Sequence, residues 1–409
     1  MWRLTLTGLV LALLALPVVA GDFEDGRQFA ASRDYTRAMA SFKKAAEQGN
    51  VDAQFNLGVM YARGQGVAQD EQQAVIWYRM AAEQGDLPAQ AILGFMYLKG
   101  RGVPQDERQA AAWYLKAAEK GHAEAQYSLG VMYAKGQGVT QDDRQALSWY
   151  LKAAEKEHPG AQFNLGVMYA KGRGVVQDEQ QAAMWYRKAA EQGDVPAQAI
   201  LGFMYLKGQG VAQDDRQAVA WYLKAAERGH PWAQYNLGVL YAKGREVAQD
   251  EQQAVTWYRK AAEQGYADAQ YNLGVMYARG RGVVQDEQQA VTWYRKAAEQ
   301  GYADAQYNMG VMYARGRGVA QDDQQAITWY RKAAEQGDAD AQYNLGIRYV
   351  DGKGVTQDYI EAHMWFSLAA AGGEERAIKN RAVVEEKMTR EQIAEARRRA
   401  GAWIKTEPQ

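Results

Sequence analysis

Residues 266–301 read Tyr-Ala-Asp-Ala-Gln-Tyr-Asn-Leu-Gly-Val-Met-Tyr-Ala-Arg-Gly-Arg-Gly-Val-Val-Gln-Asp-Glu-Gln-Gln-Ala-Val-Thr-Trp-Tyr-Arg-Lys-Ala-Ala-Glu-Gln-Gly. The same phrase, with small changes, fills most of the chain. Its tryptophan recurs every 36 residues, at Trp77, Trp113, Trp149, Trp185, Trp221, Trp257, Trp293, Trp329 and Trp365. An aromatic follows each one, Tyr78 through Tyr330 and then Phe366. A fixed period of this length is the mark of stacked supersecondary units rather than of one globular core. Nine full units tile residues 50–373.

Each unit predicts two helices. Ala269, Leu273 and Tyr277 lie four apart, with Gly274 and Met276 on adjoining faces, which is a helical spacing. Gly280 ends this helix A as a left-handed cap. Asp286, with Gln289 three residues on, predicts a capping box opening helix B, and Glu361 takes the Gln position in the last unit. Ala290, Trp293, Tyr294 and Ala297 form the stripe that helix B buries, and Gly301 closes it. Gly274 and Ala290 mark where two helices approach closely. The fold class is therefore all-α, a solenoid of helix-turn-helix repeats.

Departures from the phrase point to strain. Glu157 stands at the helix-terminal glycine and Glu246 at the second loop glycine. A non-glycine residue forced to positive φ costs about 1 kcal/mol. Pro88, Pro159, Pro196 and Pro231 all fall in the first turn of helix A, where a missing N–H does no harm. Residues 88–100 and 196–208 are identical, so blocks of three units look duplicated.

The ends differ from the array. Residues 1–20 predict a cleaved export signal: Arg3, an apolar run from Leu4 to Leu16, then Pro17 and small residues before Gly21. The apolar run is shorter than the roughly 20 residues a membrane anchor needs, and no cysteine is present to carry a lipid. The expected location is periplasmic or secreted. Residues 21–49 predict a capping helix pair with its turn near Asp34 and with Phe29, Tyr35 and Phe42 as its aromatics. Residues 374–409 predict a helical cap, with a capping box at Thr389 and Gln392 and solvent-facing Arg397, Arg398 and Arg399.

Composition narrows function. Lys and Arg total 48 against 49 Asp and Glu, a net charge of -1, so no basic field exists to hold nucleic acid. The four histidines, His122, His158, His230 and His363, are spread along the chain; three share one repeat position, the expected N-cap of helix A. They predict no metal site. No cofactor motif emerges, because no Gly-x-Gly-x-x-Gly follows a strand. No catalytic set is assembled from the sequence.

The phrase Ala-x-x-x-Leu-Gly-x-x-Tyr-x-x-Gly-x-Gly-Val-x-x-Asp-x-x-x-Ala-x-x-Trp-Tyr-x-x-Ala-Ala-x-x-Gly resembles the Sel1-like repeat, a relative of the tetratricopeptide repeat, over residues 50–373. The resemblance implies an α/α superhelix used for protein–protein contact, with secreted bacterial members tied to envelope processes and host interaction. Some secreted members carry disulfides, for which this chain has no cysteine. The resemblance also raises a β-lactamase-like reading, but Ser41-x-x-Lys44 lacks the companion Ser-Asp-Asn and Lys-Thr-Gly motifs.

By likeness to tetratricopeptide geometry, helix A lines a groove. That places Tyr271, Asn272 and Arg279 toward it, with Tyr235, Asn236 and Lys243 and then Tyr307, Asn308 and Arg315 as equivalents. In units two and five, Phe95 with Leu98 and Phe203 with Leu206 form apolar patches, two matching anchors for a protein or peptide partner. The plain alternative is a solvated face with partly buried aromatics. Tyrosine-lined grooves also suit sugars, so a peptidoglycan or polysaccharide contact stays open, as does a cell-wall hydrolase.

Overall fold

The computed structural model describes residues 21–244 and 248–406. The expected export signal at residues 1–20 and the loop residue Glu246 lie outside the described residues. Among the described residues there are 22 helices and no strand. Helices α1 (residues 21–31) and α2 (Tyr35–Glu47) come first. Nine pairs follow, represented by α15 (Ala267–Arg279) and α16 (Glu287–Glu299). The last pair ends in α20 (Tyr359–Ala371), and α21 (Glu375–Glu385) and α22 (Arg390–Thr406) close the chain. Two compact units divide it, one running to residue 197 and including 209–212, the other comprising 198–208 and 213 onward. Within each, helix pairs stack as a solenoid.

The local signals act as read, with one correction. Gly280 has φ 65° and its N–H reaches the Met276 carbonyl, ending α15. Asp286 accepts from the Gln289 N–H at 2.9 Å, opening α16. The other half of the expected capping box is not made: the Asp286 N–H donates instead to the Tyr277 carbonyl of helix A at 3.0 Å. Repeating that bond at Asp70, Asp106 and onward ties each helix B start back to its own helix A. At Thr389 the box is complete, with bonds of 2.8 and 3.3 Å in the two directions.

Glycine sets how close the layers come. A Cβ on Gly274 would lie 2.7 Å from the Tyr294 ring, so the tyrosine of helix B is laid flat on helix A only because that side chain is absent. The first helix pair uses the same device, Gly26 against Phe42. The second loop glycine has a different duty. Gly282 has φ 66°, and a Cβ there would run into the Glu251 carbonyl at the start of the preceding helix B. Beside it, Arg281 donates to Glu251 at 2.7 Å. Where the loop lies among the described residues, it is thus seated on the helix pair before it.

The core is a ladder of small clusters. Ala269, Leu273 and Met276 meet Ala254, Val255, Tyr258 and the following Trp293, all buried. Each fully buried leucine or aromatic contributes about 1.5–3 kcal/mol in removed apolar surface. Lys296 lies over the Trp293 ring at 4.1 Å, and seven repeats share this arrangement from Lys116 on Trp113 to Lys332 on Trp329. One buried polar row was not singled out by sequence. Gln270 donates to the Ala262 carbonyl of the preceding repeat at 3.0 Å and accepts from Gln300 of its own at 2.7 Å. A buried amide satisfied on both sides fixes register between repeats.

Candidate interaction surface

The residues expected to face a partner all lie on helix A. Lys243, Arg279 and Arg315 are exposed in its last turn, where a cation also suits the negative helix end. Tyr235, Tyr271 and Tyr307 are half-buried. Each packs on the tyrosine of its own helix B, at centroid distances of 6.0, 5.9 and 5.9 Å. Tyr235 and Tyr271 also meet the first residue of the next repeat, Tyr266 and Tyr302, at 5.3 and 5.2 Å. Burial pushes all three phenols up, and the carboxylates of Asp268, Asp304 and Asp340 beside them add to it.

The asparagines have partners within the chain. Asn236 and Asn308 donate to carbonyls one turn back, of Trp232 and Asp304, both at 2.8 Å. Asn272 and Asn308 also stand near the hydroxyls of Tyr235 and Tyr271 in the preceding repeat, where they act against the upward shift of those phenols. What helix A offers outward is therefore tyrosine ring faces and basic side chains more than free amides.

The two apolar patches are not equivalent. Phe95 is 41 % exposed, and Leu98 beside it is half-buried. Phe203 and Leu206 are half-buried, and Phe203 is covered by Trp232, 5.7 Å away, which also sets its edge on Tyr222 at 6.0 Å. Identical sequence over 88–100 and 196–208 hid this difference, because the covering residue comes from the next repeat.

The histidines behave in two ways. His122, His158 and His230 accept through Nδ1 from the backbone N–H three residues on, at 3.2 to 3.3 Å, capping helix A. His363 is fully buried, and the structure brings together a set that sequence spacing concealed. Its Nε2 is 2.7 Å from Glu385, and Ser367 Oγ is 3.4 Å from its Nδ1. The Ser367 hydroxyl donates instead to the His363 carbonyl at 2.8 Å, and the imidazole has no exposure to solvent. Arg397 joins Glu385 at 3.0 Å. This network fastens the C-terminal cap to the last repeat. Arg399, expected to face solvent, reaches Glu361 at 2.7 Å and does the same. Lys44 of the Ser-x-x-Lys match pairs with Asp22 at 2.8 Å. Among the described residues no helix is long and apolar enough to cross a membrane.

Comparison with known proteins fits this architecture. The Sel1 repeat family model matches ten segments between residues 23 and 374, the first being residues 23–50. A protective antigen present in uropathogenic Escherichia coli strains, displaying an SLR fold, is 38% identical with a TM-score of 0.69. The match covers 95% of this chain and 92% of that one. A Sel1 repeat protein from Oxalobacter formigenes is 37% identical with a TM-score of 0.58, covering 74% of this chain and 88% of that one. No curated protein sequence matches the chain.

Proposed function

The chain belongs to the Sel1-repeat family, and from that premise we propose that it is an exported, non-enzymatic scaffold binding a protein or peptide across its helix A faces. One observation carries the reading. In repeat after repeat the Trp-Tyr pair of helix B is sealed into the stack. Helix A, by contrast, leaves tyrosine faces and a terminal lysine or arginine turned outward. Such a surface offers rigid aromatic area and charge-assisted donors, the chemistry that recognises polypeptide. Export rests on the composition of residues 1–20. The Escherichia coli protein at 38% identity is a protective antigen, which accords with a partner met outside the cytoplasm.

Two experiments test this. Intact mass of the protein from a secreting bacterium should lack about the first 20 residues; retention of Met1 in the exported fraction would mean an anchor instead. Capture from an envelope extract should yield a protein in stoichiometric amount. Retention of purified peptidoglycan in its place would favour the sugar contact that paired rings such as Tyr271 and Tyr302 also suit. Penicillin acylation abolished by Ser41→Ala would replace both readings with a hydrolase.

A further inference from the structure

Helix A of the last repeat, α19 (Ala339–Asp351), departs from a pattern that the array otherwise keeps. The eight helices A before it end on lysine or arginine, from Arg63 to Arg315, whereas α19 ends on Asp351. A carboxylate there stands at the negative end of the helix dipole, so the helix itself gains nothing from it. Helix B of this repeat differs too. Its packing aromatic is Phe366, where every earlier repeat has tyrosine.

Both changes line one hollow. Between α19 and α21 lies a cavity of about 230 Å³, lined by Ile347, Val350, Asp351, Phe366, Asn380, Val383 and Val384. Phe366 and Val384 are buried and form its floor. Its walls are open to solvent: Val383 is 54 % exposed, and Ile347 and Val350 are half-buried. The Asn380 amide is already given to the Tyr343 hydroxyl at 3.2 Å. Six repeats earlier the corresponding positions form a second cavity, of about 290 Å³. There Lys135 stands for Asp351, Tyr150 for Phe366 and Ala134 for Val350, and Arg173 joins the lining. The hollow is thus a place the repeat can make, and in the last repeat its chemistry is turned from basic and polar to apolar with one acidic side.

We infer that the hollow between α19 and α21 seats one large aliphatic side chain of a partner polypeptide, with an arginine or lysine beside it in the partner's sequence meeting Asp351. An apolar cavity of roughly 150 Å³ already takes benzene, so the space suffices. Asp351 pairs with Lys353 at 3.2 Å, and both side chains are well exposed. An exposed pair of that kind is weak enough to exchange for an incoming guanidinium. An apolar side chain seated in a pocket, with charge complementarity at its edge, supplies both anchor and selectivity.

The inference rests on the scaffold reading and deepens it, and its test separates the two. The probe is the blocked pentapeptide Gly-Arg-Leu-Arg-Gly, titrated into the full chain carrying carbon-13 methyl labels on isoleucine, leucine and valine. The methyl signals of Ile347, Val350 and Val383 should shift saturably, and the same peptide with glycine for leucine should leave them in place. Glutamate for both arginines should weaken binding by roughly threefold or more, and Asp351→Lys should reverse that preference. Val383→Asp should abolish binding with the melting temperature unchanged, because that side chain stands largely in water. No saturable shift at these methyls, or equal shifts in the parent and Val383→Asp, overturns the inference. A preference that Asp351→Lys leaves as it was overturns the basic neighbour. Self-association that Val383→Asp removes would make a second copy the occupant and overturn the inference likewise. If the peptide fails but the parent still captures an envelope protein, the scaffold reading stands alone. If the peptide binds as stated and no protein is captured, the hollow stands and the scaffold reading falls.

Discussion

At the scale of the residue, two glycine positions that look alike in sequence have different costs. Glu157 sits at φ 60° where other repeats have glycine. At Gly265, Gly301 and Gly337 an added Cβ would meet nothing. The strain at Glu157 is therefore in the backbone alone, and Glu157→Gly should raise stability by up to ~1 kcal/mol in chemical denaturation. A clear loss would reveal a contact made by the carboxylate. Gly282→Ala should cost more, about 2 kcal/mol or above, because positive φ and collision with the Glu251 carbonyl add together. The glutamine row gives a gain-of-stability test. Gln90 is buried and its Oε1 has no protein partner, because Lys120 stands where other repeats have the donating glutamine. Lys120→Gln should supply the bond and add about 1 kcal/mol; an unchanged unfolding midpoint would show that the lysine already compensates.

At the scale of the element, the C-terminal cap is held by a buried histidine where other repeats bury Val255, Val291 or Ile327. Burial pulls the His363 pKa below its ordinary value, with Arg381 and Arg397 adding to that, while Glu385 pulls the other way. The net direction is down, so the unfolded chain takes up the proton first as pH falls. Stability is complete above the usual imidazole range near 6.5 and drains as pH drops through it. Melting should fall between pH 7.5 and 5.5, and His363→Val should flatten that dependence. It should not remove it, because burial also holds His122 and His230 down and their caps need a neutral Nδ1. A slope unaltered by His363→Val would place the acid sensitivity elsewhere. Helix starts and ends were legible in the sequence because a cap is a local device of three or four residues. Contacts that cross repeats were not. Gln270, Trp232 over Phe203, and Ser367 with His363 and Glu385 depend on which residues the stack brings together, and spacing within one phrase carries no trace of that.

At the scale of the whole molecule, the bonds that join repeats are short in sequence. Arg281 to Glu251 spans 30 residues, and Gln270 to Ala262 spans 8. Every repeat therefore answers only to its neighbours. Residues 266–301 and 302–337 differ at four positions. Deleting 266–301 should leave Gln306 donating to the Ala262 carbonyl in place of Ala298. The shortened chain should keep the same ellipticity per residue and a single repeat's loss in unfolding enthalpy, about 25 kcal/mol near 60 °C at ~0.7 kcal/mol per residue. Collapse of the helical signal would show long-range coupling instead. The loop glycine pressed against its predecessor's carbonyl then has a hereditary consequence. A gene for such a chain can lengthen or shorten by whole units with little harm. An insertion of any other length throws the next glycine off its seat, so the lineage counts its growth in repeats.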